Sequence, residues 1–362
     1  GGYKILVKVC PTISADAEVM QLNEAEPEWG TEIVRYLKTG KLPPEKAEAQ
    51  KVIRNSARYV LVGGVLYRRG YSLPLLKCLP NEDANYVLRE VHHGVCGNHS
   101  EAKALANKIV RAGYYWPTMI KDAKEMVRAS DACQRFTRLS NSPPEYLHSI
   151  TSPWPFAKWG VDIVGPMPPG KGNRKFIVVA VDYFTKWVEA EALVHITSQN
   201  ITKFLWRSVI CRYGLPHAFV TDNGKQFDCQ PFRDWCEDLK IRNYFSSPGH
   251  PQANGQVEAT NKTIFKILKK KLEDRKGAWA EQLHEVLWAY RTTERTPTGD
   301  TPFGLAFGSE AVVPVETELS SLRVQKYDRE LNEEGLKMSL DLLDERRDQA
   351  EMVMASYRRK TA

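Results

Sequence analysis

The run KFIVVAVDYF, residues 175 to 184, sets apolar side chains at every position from 176 to 181, so a strand built from it has no face to turn to water. Such a β-branched stretch belongs in a sheet buried on both sides. Around it lie further strand-like runs: KWGVDIVG (158–165), WVEAEALV (187–194), HAFVTD (217–222) and IRNYFSS (241–247). The first run, the central one and WVEAEALV are predicted to form a meander of one sheet. Between and after these runs the apolar spacing turns helical, in SQNITKFLWRSVICRYG (198–214), PFRDWCEDLK (231–240), a long segment from Gln252 to Arg275 and AWAEQLHEVLWAYRTT (278–293). Strands alternating with helices make this half of the chain an α/β unit.

The preceding half reads differently. Two helical stretches lead into YVLVGGVLYRR (59–69), whose β-rich flanks about Gly63-Gly64 predict a hairpin. Three more helices are predicted: NEDANYVLREVHH (81–93); SEAKALANKIVRAG (100–113), starting at Ser100 and stopping at Gly113; and PTMIKDAKEMVRAS (117–130), with Pro117 in its first turn. SNSPPEYLHSITSPWP (140–155), rich in proline and serine, is a linker. The expected layout is a tether over 1–26, a small α+β extension over 27–85, a helical module over 86–140, a linker over 141–156, the α/β unit over 157–316 and a charged C-terminal helix over 317–362.

Size and charge narrow the function. The 362 residues suit two or three domains, and no 18-residue apolar run or basic-then-apolar leader predicts a membrane span or secretion. Seven cysteines without a framework spacing favour a reducing compartment, and an opening at Gly1 is expected of a processed product or a fragment. A net charge of +7 favours a polyanionic partner without identifying one.

Three acids stand where chemistry could use them: Asp162 in a strand, Asp222 at the end of another, and Glu258 where the long helix begins. Carboxylates from adjacent strands and a helix laid across them can hold divalent cations, which take oxygen ligands and keep positions open for water and phosphate. Each acid also has an ordinary role, as a strand-end or turn residue or as a helix-dipole partner. With 44 acidic residues in the chain, some triple at any spacing is expected. The local contexts decide more. WGVDIVGP, VTDNGKQF and HPQANGQVE occur in that order, accompanied by REVHHGVCGNHS, GYYWPTMIKDA, DACQRF and TPFGLAFG.

Together these blocks, from about residue 30 to 316, resemble the integrase of a gypsy-type long-terminal-repeat retrotransposon, of the kind found in plants. The resemblance implies a ribonuclease H-like core, a mixed five-stranded sheet with helices, preceded by the α+β extension and a zinc-binding-type helical module. It implies that Asp162, Asp222 and Glu258 are the catalytic acids and hold two Mg²⁺ or Mn²⁺ ions, and that His250, Asn254 and Gly255 belong to the loop leading into the active-site helix. The implied reaction joins the 3′ ends of element DNA to a target duplex, after 3′ processing where that occurs. Double-stranded DNA is the implied partner, a homodimer or a tetramer on DNA the implied assembly, and the nucleus the implied compartment, with assembly in cytoplasmic particles. Rival readings are an idle DNA-binding relic or host-adopted protein of the same fold, and a nuclease that cleaves without joining.

On a helical wheel Ile264, Phe265, Ile267, Leu268 and Leu272 share one face, while Lys262, Lys266, Lys269 and Lys270 share the other, with Glu258 at the border. Lysines there would meet DNA phosphates, so Lys262 and Lys266 are candidate DNA contacts, together with Gln252 and Asn254 in the preceding loop.

The zinc-binding side carries a gap. The resemblance supplies His92, His99 and Cys133 as Zn²⁺ ligands, but Ser130 stands where a second cysteine is expected. A hydroxyl is a poor replacement for a thiolate in a structural site, which is normally closed by four protein ligands. His93, Cys96 or Asp131 filling the gap, a water completing a weak site, and loss of zinc all remain open. By sequence His93 reads as a neighbour rather than a ligand, and Cys96 as a small packing residue.

Overall fold

The computed structural model describes residues 26–70, 75–95, 97–135, 152–245, 255–272 and 278–361. Residues 1–25 of the expected tether, nearly all of the linker, and the loop holding His250, Gln252 and Asn254 lie outside them.

The first half begins with α1 (Thr31–Thr39) and α2 (Lys46–Ser56), followed by the hairpin β1 (Tyr59–Val62) and β2 (Val65–Arg68). Its turn has φ of +59° and +87° at Gly63 and Gly64, left-handed values that glycine adopts without strain. Strand β3 (Leu76–Cys78) pairs antiparallel with β2, and after helices α3 (Asn81–His93) and α4 (Ala102–Arg111) the short β4 (Tyr114–Tyr115) pairs parallel with β3. One four-stranded sheet therefore crosses the expected boundary at residues 85/86. Helices α5 (Met119–Ala129) and α6 (Asp131–Arg135) complete the module, and Val87, Leu105, Ile109, Tyr114 and Trp116 form its dry centre.

Two helix starts differ from the sequence reading. Glu101 rather than Ser100 precedes α4, and Thr118 precedes α5, leaving Pro117 ahead of the helix.

The second half is a mixed sheet in the order β7-β6-β5-β8-β9, five strands as expected of a ribonuclease H-like core. Strands β5 (Lys158–Val164), β6 (Phe176–Asp182) and β7 (Val188–Leu193) form the antiparallel meander. Helix α7 (Ser198–Phe204) passes through a π-helical stretch (Leu205–Ile210) into the last turn, α8 (Cys211–Tyr213), and leads to β8 (Ala218–Thr221), which pairs parallel with β5. Helix α9 (Gln230–Asp238) returns to β9 (Arg242–Phe245), parallel with β8.

Both faces of β6 are buried. Ile177, Val179 and Val181 face α10 (Gly255–Leu272) and α11 (Trp279–Arg291); Val178 and Ala180 face α7 and α9. After α11 come α12 (Pro302–Phe307), α13 (Pro314–Glu318), α14 (Leu322–Gln325), α15 (Arg329–Asp341) and α16 (Leu343–Thr361). Val313, Val315 and Leu319, around α13, pack into the core of the first half. Arg111 of α4 reaches Asp300 at 3.0 Å and Glu310 at 2.6 Å, and Arg346 of α16 joins the same two carboxylates at 2.5 and 2.7 Å.

One contact sets the height of α10 above the sheet. A Cβ built on Gly160 of β5 would run into Cγ2 of the fully buried Val257 and come within 2.9 Å of Tyr183 Oη. Gly160→Ala is therefore expected to cost about 1 to 3 kcal/mol in denaturant unfolding. Combined with Val257→Ala, the loss should fall short of the sum of the single losses by about 0.5 kcal/mol or more. Additive losses would show that the two residues do not share this space.

Candidate active site and metal module

Strand pairing brings the two aspartates together. The parallel register aligns Trp159 with Phe219 and Gly160 with Val220. Carried two residues further, it sets Asp162 opposite Asp222, one residue past the end of β8. Side chains alternate along a strand, so Asp162 shares the face of Gly160, the one on which α10 lies. Glu258 follows Val257 in the first turns of that helix.

The hydrogen bonds at these acids leave oxygen to spare. Asp162 Oδ1 accepts the Ile163 N–H at 2.8 Å, and its Oδ2 accepts from Asn261 Nδ2 at 2.7 Å. Asp222 Oδ1 accepts the Gly224 N–H at 3.1 Å. Glu258 is about half exposed, with the Lys262 ammonium 3.9 Å away. Burial raises the Asp162 carboxyl above its ordinary range. The Ile163 and Asn261 donors act against that shift, and the charges of Asp222 and Glu258 add to it. Negative charge is therefore crowded here, and the carboxylate oxygens suit a hard divalent cation.

Asn261 is a residue that sequence reading missed. It sits one turn beyond Glu258, a spacing that shares a helix face, and its Oδ1 is buried with no partner among the described residues. The acid oxygens themselves are not drawn into as tight a group as the imidazoles described next.

The second constellation lies at the far end of α10. His92, the penultimate residue of α3, is fully buried, and its Nε2 lies 3.6 Å from Cys133 Sγ. The ring centroid of His99 is 4.9 Å from that of His92, and His93 completes a triangle at 4.5 and 4.9 Å. His92, His93 and His99 each offer a ligand atom, and these atoms all lie within 4.8 Å of one another. Burial pulls His92 down to about 3 and His99 to about 4, so both imidazoles are neutral, as metal binding requires. The Nδ1 atoms of His92 and His99 are buried without a partner among the described residues. Donors of this kind fit zinc.

Ser130 is buried too, but its Oγ faces the backbone N–H of Cys133 at 3.4 Å, as a helix cap does. Asp131 opens α6 in an exposed position, and Cys96 lies outside the described residues.

Lys270 overturns its sequence assignment. It is buried, and its ammonium donates to the His99 carbonyl and lies 3.7 Å from Cys133 Sγ. Burial lowers it from the ordinary lysine value, while Cys133 acts the other way. It is a link between modules, not part of a DNA-facing stripe. Lys262 and Lys269 are exposed and Lys266 is half-buried, as a solvent-side stripe requires.

Against known families, residues 153–251 match the integrase core domain and residues 79–138 the integrase zinc binding domain. The integrase core match contains Asp162 and Asp222 and ends before Glu258. The Pro-Pol polyprotein of feline foamy virus is 28% identical over 292 residues, which are 78% of this chain and 24% of that protein. The retrovirus-related Pol polyprotein from transposon 412 of Drosophila melanogaster is 26% identical over 243 residues, 67% of this chain and 20% of that one. Gypsy retrotransposon integrase-like protein 1 of Bos taurus is 26% identical over 260 residues, 71% and 49% of the respective chains. The chain thus spans between a fifth and a half of the length of these relatives.

Among solved structures, a chain of the simian T-cell lymphotropic virus intasome in complex with PP2A regulatory subunit B56 gamma matches with a TM-score of 0.46 and 21% identity, over 63% of this chain and 74% of that one. The HTLV-2 integrase catalytic core domain in complex with magnesium matches with a TM-score of 0.36 and 24% identity, over 42% and 97%.

The acid cluster has a measurable sign. Because the folded Asp162 carboxyl is raised, its stabilising share is full below about pH 4, the ordinary carboxylate value, and is lost as pH rises through the folded value. Metal-free protein should therefore lose stability over that range, and Asp162→Asn should flatten the loss. At neutral pH, Mg²⁺ or Mn²⁺ at ten times its Kd should add about 1.4 kcal/mol to the parent and nothing to the variant in thermal unfolding. An equal gain in both would remove Asp162 from the metal site.

Proposed function

We propose that this chain is the integrase of a gypsy-type long-terminal-repeat retrotransposon, with a plant host, and that it joins 3′ ends of element DNA to a target duplex. The observation that carries the reading is the convergence of Asp162, Asp222 and Glu258 near the C-terminal ends of the inner strands β5 and β8, through the β5–β8 register and the seating of α10 on Gly160. A phosphoryl transfer of this class needs crowded carboxylates at an open site, and Glu258 is exposed there.

Asp162, Asp222 and Glu258 would hold divalent ions, and when bound these ions activate the attacking hydroxyl and stabilise the leaving oxygen. The protein's own share is positional. Asn261 fixes one oxygen of Asp162, and the Gly224 N–H fixes Asp222. Lys262 and Lys266, following Glu258 on α10, offer charge to the DNA backbone, with Gln252 and Asn254 as further contacts. In the module before the core, zinc would be held by His92, His99 and Cys133, and its chemistry is structural. A homodimer, or a tetramer on DNA, in the nucleus after assembly in cytoplasmic particles completes the proposal.

Asp222→Asn should lower strand transfer from pre-processed element ends by about a thousandfold, the equivalent of about 4 kcal/mol, while DNA binding stays within a few-fold of the parent. Joining at the parental rate would sink the acid assignment; cleavage by the parent without joining would favour a nuclease. Lys262→Gln and Lys266→Gln should each weaken DNA binding on every sequence and reduce the slope of log K against log salt by about 1. An unchanged slope would remove that lysine from the DNA surface.

A further inference from the structure

The gap left by Ser130 has a candidate to fill it, and that candidate lies on α3 rather than beside Cys133. A structural zinc site is closed by four protein ligands in a tetrahedron. Two imidazoles and one thiolate, from His92, His99 and Cys133, leave one position. Ser130 is poorly placed for it: its hydroxyl is a weak zinc donor and is turned to the Cys133 backbone N–H at 3.4 Å. Asp131 opens α6 and, unlike His93, is not among the side chains whose ligand atoms gather within 4.8 Å of one another.

His93 is differently placed. Three imidazoles bound to one zinc have ring centroids about 5 Å apart, from a Zn–N bond of about 2.0 Å and tetrahedral angles. The observed separations among His92, His93 and His99 are 4.5, 4.9 and 4.9 Å. All three pairs of rings are steeply inclined, at 65° to 79°, as rings disposed around a common point are. Cys133 Sγ joins this group at 3.6 Å from His92 Nε2. The reading of His93 as a bystander came from its place in the sequence, next to a ligand at the end of a helix. The chain turns sharply after it: Gly94 follows with extended backbone, and a Cβ there would clash with the Glu90 carbonyl. The last turn of α3 and the return through His99, itself at φ of +48°, can thus bring both adjacent histidines to one point.

We infer that this chain holds zinc through three histidines and one cysteine, His92, His93, His99 and Cys133, with His93 taking the ligand position that Ser130 leaves empty. This rests on the reading that the module binds zinc, and the test keeps the two apart.

The full-length chain, purified in the presence of zinc, should carry one zinc after gel filtration. X-ray absorption at the zinc edge should give one sulfur and three imidazoles in the first shell. His93→Ala should weaken zinc in competition with a chelator by more than the about 10- to 100-fold that loss of a hydrogen-bonding neighbour costs. Adding Ser130→Cys to His93→Ala should restore binding, because it supplies the missing donor at the other position.

A chain without zinc overturns the metal reading and this assignment together. Zinc with two imidazoles, one sulfur and a lighter oxygen donor, or unchanged affinity in His93→Ala, overturns the assignment alone. Should His93→Ala fail to fold, the absorption spectrum of the unaltered protein decides the matter.

Discussion

Helix α10 can carry Glu258 to the aspartates only because the sheet has no side chain beneath Val257. Gly160 occupies the point of contact, two residues before Asp162 and on its face of the strand. A larger residue would lift the helix by part of a side chain, and a carboxylate moved that far no longer shares a cation with its partners. Val257 is fully buried in the layer formed with Val179, Val181 and Val220. The hydrophobic seat and the placement of Glu258 near the aspartates are thus one arrangement, because neighbouring residues of a single helix serve both.

The same helix ties the halves of the molecule together. Lys270 lies 270 − 258 = 12 residues beyond Glu258, about 18 Å along the axis at 1.5 Å per residue. Its ammonium meets the His99 carbonyl and the Cys133 sulfur, and the next residue, Lys271, donates to the Val95 carbonyl at 2.8 Å. From the other direction Lys108 reaches Thr292 at 3.0 Å and Asn98 reaches Thr293 at 2.9 Å, both at the end of α11. Buried polar bonds lose their partner at a cost of about 1 to 3 kcal/mol each, so these contacts fix orientation as well as proximity. A loss of structure around His92 and Cys133 would be felt by α10, and through α10 at the acids.

The sheet was legible in the sequence because each signal was local. The apolar run at 176–181, the alternation after Trp187 and the glycine pair at 63–64 each determine a strand or turn without help from elsewhere. The positions of Asp162 within one strand and Asp222 at the end of another followed from the same runs. Lys270 was misread because a helical wheel knows one apolar face. It lies about 140° from the centre of the face that Ile264 and Leu268 bury, at an angle that solvent normally claims. The module against the end of α10 covers that flank, and no periodicity within the helix announces a second partner. Asn261 had a readable clue, its one-turn spacing from Glu258, but an asparagine in a helix has many uses until a carboxylate is seen beside it. His93 had none, since adjacent helical residues ordinarily point 100° apart.

The two constellations on either end of α10 differ in the chemistry they select. Carboxylate and amide oxygens at the acids, partly open to water, suit ions that keep several of their own waters. Buried neutral imidazoles and a sulfur suit a borderline metal bound without water. That difference keeps the two sites from competing for one ion, since magnesium gains little from imidazole and sulfur, and zinc gains more from them than from exposed carboxylates. It also separates their consequences. At the acid cluster, Asp162 is held by Ile163 and Asn261 and the sheet below is dry. At the imidazole cluster two ring nitrogens, Nδ1 of His92 and Nδ1 of His99, are buried without partners among the described residues, a burial that costs free energy. An ion bound at the acids is therefore tied to reaction, whereas an ion bound at the histidines is tied to whether the first half of the chain holds its place against α10.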